Sequence, residues 1–294
     1  MMFCSVPAVR TAIGRSSSFP VANAQLKASV SAGFTKSFSS KVESKYYTVG
    51  ITGASGLIGT AFQNQLRAQG KVNGKSVRVV TFKRGQAAEA VDADSLSDDR
   101  FTFAKSVTWN PKGSAECVDT SVIQSLDALV HLSGENISTG EGLLAPLGIR
   151  PWTESKKQEI IDSRTVTTSA LASAIVRSGN KNCDFLVASG VGVYGSDFFG
   201  GDGAKPAADE STDVSSTKGF LADVSRVWEA SSEDASKVGN RVVKLRNGVA
   251  LSKKGGALAK LYPIFFLGGG GIVGSTGQQY FPFVSNRDSK CLSN

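Results

Sequence analysis

The 294-residue sequence holds one histidine, His131. That excludes a histidine-rich metal cluster, and a Ser-His-Asp triad could use only this residue. The four cysteines (Cys4, Cys117, Cys183, Cys291) stand far apart with no paired spacing. They suggest neither a zinc site nor a disulfide framework. Long apolar runs are missing too. The longest, from Leu261 to Gly274, is broken by Pro263 and by glycines, so it cannot span a bilayer. Acid is scarce at the start: residues 1–44 carry Arg10, Arg15, Lys27, Lys36 and Lys41 against Glu43 alone. Half of the formal charge of +8 lies there, and the remaining +4 is too mild to argue for nucleic acid.

Ten serines and two threonines fall in residues 1–44. A hydroxylated, basic, acid-poor leader is what organelle transit peptides show. Sparse arginine favours a chloroplast address over a mitochondrial one; a disordered tail without an address is the plainer alternative.

What the chain has in abundance is glycine, and Val49-Gly50-Ile51-Thr52-Gly53-Ala54-Ser55-Gly56-Leu57-Ile58-Gly59 is its organising stretch. Tyr46 to Thr52 reads as an apolar strand, and a helix follows to about Gly70. Gly53 permits the turn, Gly56 lets the backbone approach a pyrophosphate, and Gly59 lets helix and strand pack closely. Free N–H groups at the helix start would bind phosphates. An ordinary glycine-rich turn is the alternative, but strand, turn and helix signals agree.

The second strand, Ser76 to Phe82, ends in Lys83-Arg84, where an acid would bind ribose hydroxyls and repel a 2′-phosphate. Arg84 could clamp that phosphate, so NADP(H) is preferred over NAD(H); a solvated pair of cations is the alternative. Residues 85–105 are polar and read as a surface excursion. Further strands are predicted over 106–109, 126–133, 184–188 and 241–251, with helices over 118–126, 153–178 and 218–235. Alternating elements imply a parallel, doubly wound α/β sheet with ligands at the strands' carboxyl ends. His131, inside a buried strand, reads as a packed neutral ring.

The motifs ITGASGLIG (51–59), LVHLSGENI (129–137), PWTESKKQEIIDSRTVTTSAL (151–171), ASGVGVYG (188–195), FLADVSRVWE (220–229), LRNGVALSKKGGALAK (245–260) and LGGGGIVGSTGQQ (267–279) carry a resemblance. The chain resembles the atypical short-chain dehydrogenases/reductases known as epimerase family proteins. These are related to nucleotide-sugar epimerases and dehydratases, and their plant members are similar to plastid giant-chloroplast or SulA-like proteins. The resemblance reaches from about Tyr46 to Gln279. It implies a Rossmann-like domain over 45–251, after a 1–44 leader, and a small C-terminal substrate region over 252–294. It places Gly53, Ser55, Gly56, Leu57, Ile58 and Gly59 on the pyrophosphate loop and Arg84 on the 2′-phosphate site. Ser133, Gly134 and Glu135 fall on the loop after the fourth strand, and Ser189 on the active-site serine position.

Two departures stand out. The superfamily's proton-transferring pair is Tyr-x-x-x-Lys. Four residues after Tyr46, Tyr47, Tyr194, Tyr262 and Tyr280 stand Gly50, Ile51, Phe198, Phe266 and Val284, so no tyrosine has its lysine. Alignment puts the pair on Phe220 and Val224, leaving Tyr194 as the tyrosine that could substitute. Family members also continue with an Ile-His-x-x-Asp segment and further helices, whereas this sequence runs Tyr280-Phe281-Pro282 and ends at Asn294. That implies a shortened substrate region.

Three function classes follow. One is an NADP(H)-dependent oxidoreductase or epimerase on a small polar substrate, such as a nucleotide sugar, with Arg164 and Arg246 for anionic groups. The second is a non-catalytic module that reads NADP(H) and reports to a partner, for example in plastid division. The third, a purely structural domain, gives no reason for a glycine turn paired with a cationic strand end. No metal and no nucleic-acid partner are expected. The resemblance implies pairing of two copies through the long helix over 153–178.

Overall fold

The computed structural model describes residues 44–85, 101–110, 118–137, 152–195, 208–271 and 281–285. The leader read over residues 1–44 lies outside them except for its last residue.

Strand β1 (Tyr46–Thr52) is buried over its last five residues. Helix α1 (Leu57–Gln69) buries Gly59, Phe62 and Leu66, spaced to fall on one face. It ends on Gly70 in the left-handed region, whose N–H bonds Leu66 O. Strands β2 (Lys71–Val72) and β3 (Lys75–Arg84) form a hairpin closed by Asn73 and Gly74, both with positive φ. Asn-Gly supplies the two left-handed residues that a two-residue hairpin turn needs. Strand β4 (Phe101–Trp109) follows, then α2 (Thr120–Gln124), whose cap Asp119 accepts from Ser121 N. Next come β5 (Ala128–His131), α3 (Glu154–Ser178), β6 (Asp184–Gly190) and a 3₁₀ turn (Val191–Tyr194). The chain continues through α4 (Phe220–Ala230), α5 (Glu233–Lys237), β7 (Val242–Asn247), β8 (Val249–Ser252), α6 (Gly256–Phe266) and β9 (Phe283–Ser285).

Among the described residues, six strands pair in parallel in the order β4-β3-β1-β5-β6-β7, with β2 antiparallel on β3. The order reverses at β1, with β3 and β5 on its two sides. This is the doubly wound, Rossmann-like arrangement, and its ligand crevice lies at that reversal. Consecutive side chains serve opposite faces. Leu129 packs with Leu171, Ile175 and Phe185, while Val130 packs with Ile51, Phe62 and Leu66. Gly50 faces the first group, where a Cβ would stand 2.6 Å from Leu126 Cδ1 and 2.9 Å from Phe82 Cε2.

Several sequence expectations change. β4 begins at Phe101, almost fully buried, so the end of the expected surface excursion is core strand; residues 86–100 lie outside the described residues. The sixth strand divides at Gly248, after which β8 leaves the main sheet and pairs with β9. The helix predicted over 218–235 divides at Ser231 and Ser232 into α4 and α5. The apolar run after Gly255 folds as α6, with Pro263 inside it. Among the described residues no helix is long and apolar enough to cross a membrane.

Candidate functional site

The glycine turn sits where the strand order reverses. Gly53 has φ of +66°, and a Cβ there would lie 2.8 Å from the backbone of Leu132. Its freedom thus serves both the turn and the approach of the loop after β5. A Cβ on Gly59 would stand 2.3 Å from Gly53 O, so the first turn of α1 packs directly on the glycine turn. Gly56 is different: it is exposed, and a Cβ there would meet Gly53 O at 3.2 Å as its one close neighbour. Among the described residues no side chain caps α1, and no acid lies in its first turn. The orphan N–H groups at its start fit an anion, and the cradle over Gly56 fits a pyrophosphate. Ser55 is exposed at the turn; Leu57 and Ile58 are half-buried behind it.

Thr52 pairs in register with Phe82 of β3 on one side and His131 of β5 on the other. Arg84, two residues beyond Phe82, and Glu135, four beyond His131, therefore flank the glycine turn. Lys83 and Arg84 are both exposed. The loop Ser133-Gly134-Glu135 is held by α3. Glu135 N donates to Ser163 Oγ (3.0 Å), and Arg164 Nη2 donates to Glu135 O (3.0 Å). Lys156 Nζ donates to Glu135 Oε1 and to Glu159 Oε2, each at 2.8 Å. The Lys156 hydrogen bond holds the Glu135 carboxyl below its ordinary range; the charge of Arg84 adds to that. The Glu135 and Glu159 partners in turn raise Lys156.

Arg164 also donates to Ile160 O (3.0 Å) and Ser163 Oγ (3.2 Å), and its guanidinium lies 5.0 Å from the Trp228 ring centroid. These contacts make it a brace between the β5 loop, α3 and α4. His131 is fully buried: Nδ1 meets Thr52 Oγ1 at 2.7 Å and Nε2 meets Thr167 Oγ1 at 3.1 Å. Burial pushes its pKa down to about 3, so the ring is neutral.

A second polar group lies at the carboxyl ends of β6 and β7, where Ser189 and Arg246 are register partners. Ser189 Oγ donates to Glu229 Oε1 (2.7 Å). Arg246 bonds both carboxylate oxygens of Glu229, through Nε at 2.9 Å and Nη2 at 3.0 Å. Its Nη1 donates to Tyr194 Oη (3.3 Å), with the guanidinium 5.2 Å from that ring's centroid. Burial pushes the Glu229 carboxyl up, but the bonds from Arg246 and Ser189 outweigh it and hold it low. The structure thus joins Ser189 and Arg246 to one carboxylate, with Tyr194 held by Arg246, and leaves Arg164 with the β5 loop.

Residues 49–218 match the model of the NAD dependent epimerase/dehydratase family. The chain belongs to that family. It is 31% identical over 245 residues to an epimerase family protein of Mycobacterium leprae, covering 83% of this chain and 66% of that protein. It is 33% identical over 248 residues to the chloroplastic epimerase family protein SDR39U1 homolog of Arabidopsis thaliana, covering 84% and 60%. It therefore spans just under two thirds of the length of these relatives. Among solved structures, the nucleoside-diphosphate sugar epimerase of Corynebacterium glutamicum superposes with a TM-score of 0.55 at 29% identity, covering 84% of this chain and 42% of that one. Human epimerase family protein SDR39U1, solved with NADPH, superposes at 0.50 with 26% identity, covering 82% and 66%.

The α4 face bears on the tyrosine and lysine expected from the resemblance. Phe220 packs on Trp152, with ring centroids 5.3 Å apart, and Val224 is buried. A Cβ on Gly192 in the 3₁₀ turn would meet Leu221 Cβ at 3.2 Å and Ser225 Oγ at 3.7 Å. The residues of α4 turned toward that site are thus Leu221, Ser225 and Glu229, spaced by four. Neither Phe220/Val224 nor Leu221/Ser225 provides a tyrosine and a lysine. Glu229 is not among the site residues expected from the sequence; its signal was a lone acid on the apolar side of α4, four residues after Ser225.

Proposed function

We propose that this chain binds NADP(H) and acts as an atypical short-chain oxidoreductase or epimerase on a small polar substrate of the nucleotide-sugar class. The carrying observation is the uncapped glycine turn with Arg84 at the adjacent strand end. The NADPH held by the human relative supports the cofactor, and the nucleoside-diphosphate sugar epimerase supports the substrate class. When bound, such a cofactor supplies hydride transfer. The start of α1 would hold its pyrophosphate, Arg84 beside Lys83 its 2′-phosphate, and the Ser133–Glu135 loop would border its ribose. Ser189 and Tyr194 would orient the substrate, with Glu229 and Arg246 fixing both hydroxyls.

The test is titration with NADPH and NADH, followed by fluorescence. Arg84→Ala is expected to weaken NADPH binding by roughly 1–3 kcal/mol, the worth of a charge-assisted contact, and to spare NADH. Equal losses for both cofactors would sink the 2′-phosphate role, and no binding of either would sink the proposal.

The α4 face favours a second reading, a non-catalytic module that senses NADP(H), for example in plastid division. It predicts cofactor binding without turnover of any nucleotide sugar. A chloroplast location belongs to both readings, supported by the serine-rich leader and the chloroplastic Arabidopsis relative. A fusion of residues 1–44 to a fluorescent protein should accumulate in plastids.

A further inference from the structure

We infer that Lys156, acting through Glu135, sets the preference for a 2′-phosphorylated over an unphosphorylated nicotinamide cofactor. The inference rests on the NADP(H) reading above. It starts from an apparent conflict at the site. A carboxylate near the arginine that would clamp a 2′-phosphate disfavours that phosphate, because it repels it and competes for the arginine. Glu135 and Arg84 follow the two strands that flank β1, and so stand on either side of the glycine turn.

The structure resolves the conflict through α3. Lys156, in the first turn of that helix, is buried, and its Nζ lies 2.8 Å from Glu135 Oε1. Thr153 caps the helix by accepting from Lys156 N, which fixes the lysine backbone. Glu159 holds the same Nζ from the other side at 2.8 Å. Arg164, the other cation facing Glu135, gives Nη2 to its backbone carbonyl and Nη1 to Ile160 O and Ser163 Oγ. Lys156 is therefore the cation that takes up the Glu135 carboxylate, and Arg84 is left for a phosphate. Removal of the lysine charge would return Glu135 to Arg84. Lys156 is thus a positioning residue for specificity, with no contact to the cofactor required.

The experiment measures dissociation constants for NADPH and NADH on the full chain and on three variants. Lys156→Met is expected to weaken NADPH about tenfold, the size of one charged contact, and to leave NADH within about twofold. The double variant Lys156→Met with Glu135→Gln should bring NADPH back to within about threefold of the starting protein. A merely structural lysine would change both cofactors alike and would not be rescued, and that outcome overturns the inference. Should Lys156→Met fail to fold, Lys156→Gln, which removes the charge but keeps a hydrogen-bonding side chain, decides. The ratio of NADPH to NADH affinity must fall; a ratio that stays level or rises overturns it. Failure of the NADP(H) reading itself shows separately, as an unmodified chain that does not prefer NADPH.

Discussion

Helices α1 and α6 both follow a strand, both start at a glycine, and neither has a side-chain cap. Yet α1 buries Gly59, Phe62 and Leu66, while α6 buries nothing among the described residues. Tyr262, Phe265 and Phe266 are 64%, 58% and 76% exposed. The difference lies in spacing. In α1 the buried residues share one face, and the exposed Thr60, Asn64, Arg67 and Ala68 take the other. In α6 apolar residues surround the axis, with Lys260 the one charge. Local signals are enough to start a helix; a one-sided pattern is what lets a sheet bury it.

Four perturbations would sharpen that contrast, and chemical denaturation reads each. The largest loss should come where the sheet side holds a paired charge. Arg246→Met strands Glu229 without its partner and should cost about 3–5 kcal/mol, recovered in large part by adding Glu229→Leu. Gly59→Ala drives a Cβ into Gly53 O and should cost about 1–3 kcal/mol, whereas Gly56→Ala should cost much less and lose cofactor binding instead. Acid comes next. His131 takes a proton at its ordinary pKa of 6.5 when unfolded, but only at about 3 when folded. Its contribution is therefore fully present above 6.5 and is lost as pH falls, at roughly 1.4 kcal/mol per unit within that window. His131→Gln should flatten that slope. The smallest effect belongs to α6: Phe266→Ser should change stability by less than about 0.5 kcal/mol. A cost of several kcal/mol there would erase the contrast between the helices.

The contrast also explains what the sequence disclosed. β1, α1, β3, α3 and β6 were legible because period, caps and glycine punctuation agreed. The glycine turn at the strand reversal was legible for the same reason. α6 was not legible, since Pro263 and an all-round apolar composition do not give an amphipathic period. The Asn73-Gly74 hairpin was present as a two-residue signal but brackets only a two-residue strand. Glu229 and Lys156 were hidden for another reason. Their roles depend on Arg246 and Glu135, which are distant in sequence and meet them only after β6 and β7 pair and α3 docks.

The position of β1 has a consequence for the growing chain. Among the described residues it is the first main strand in chain order and one of the most enclosed, yet both its neighbours lie later in the sequence: β3 closes one edge, and β5, starting at Ala128, the other. At ordinary synthesis speeds the second edge stays open on the order of ten seconds after β1 is made. Through that interval Val49 and Ile51 form an unpaired apolar ribbon, which α1 and the β2–β3 hairpin shield from one side only. Nascent-chain quality control, rather than the finished fold, is where this architecture is most exposed to failure.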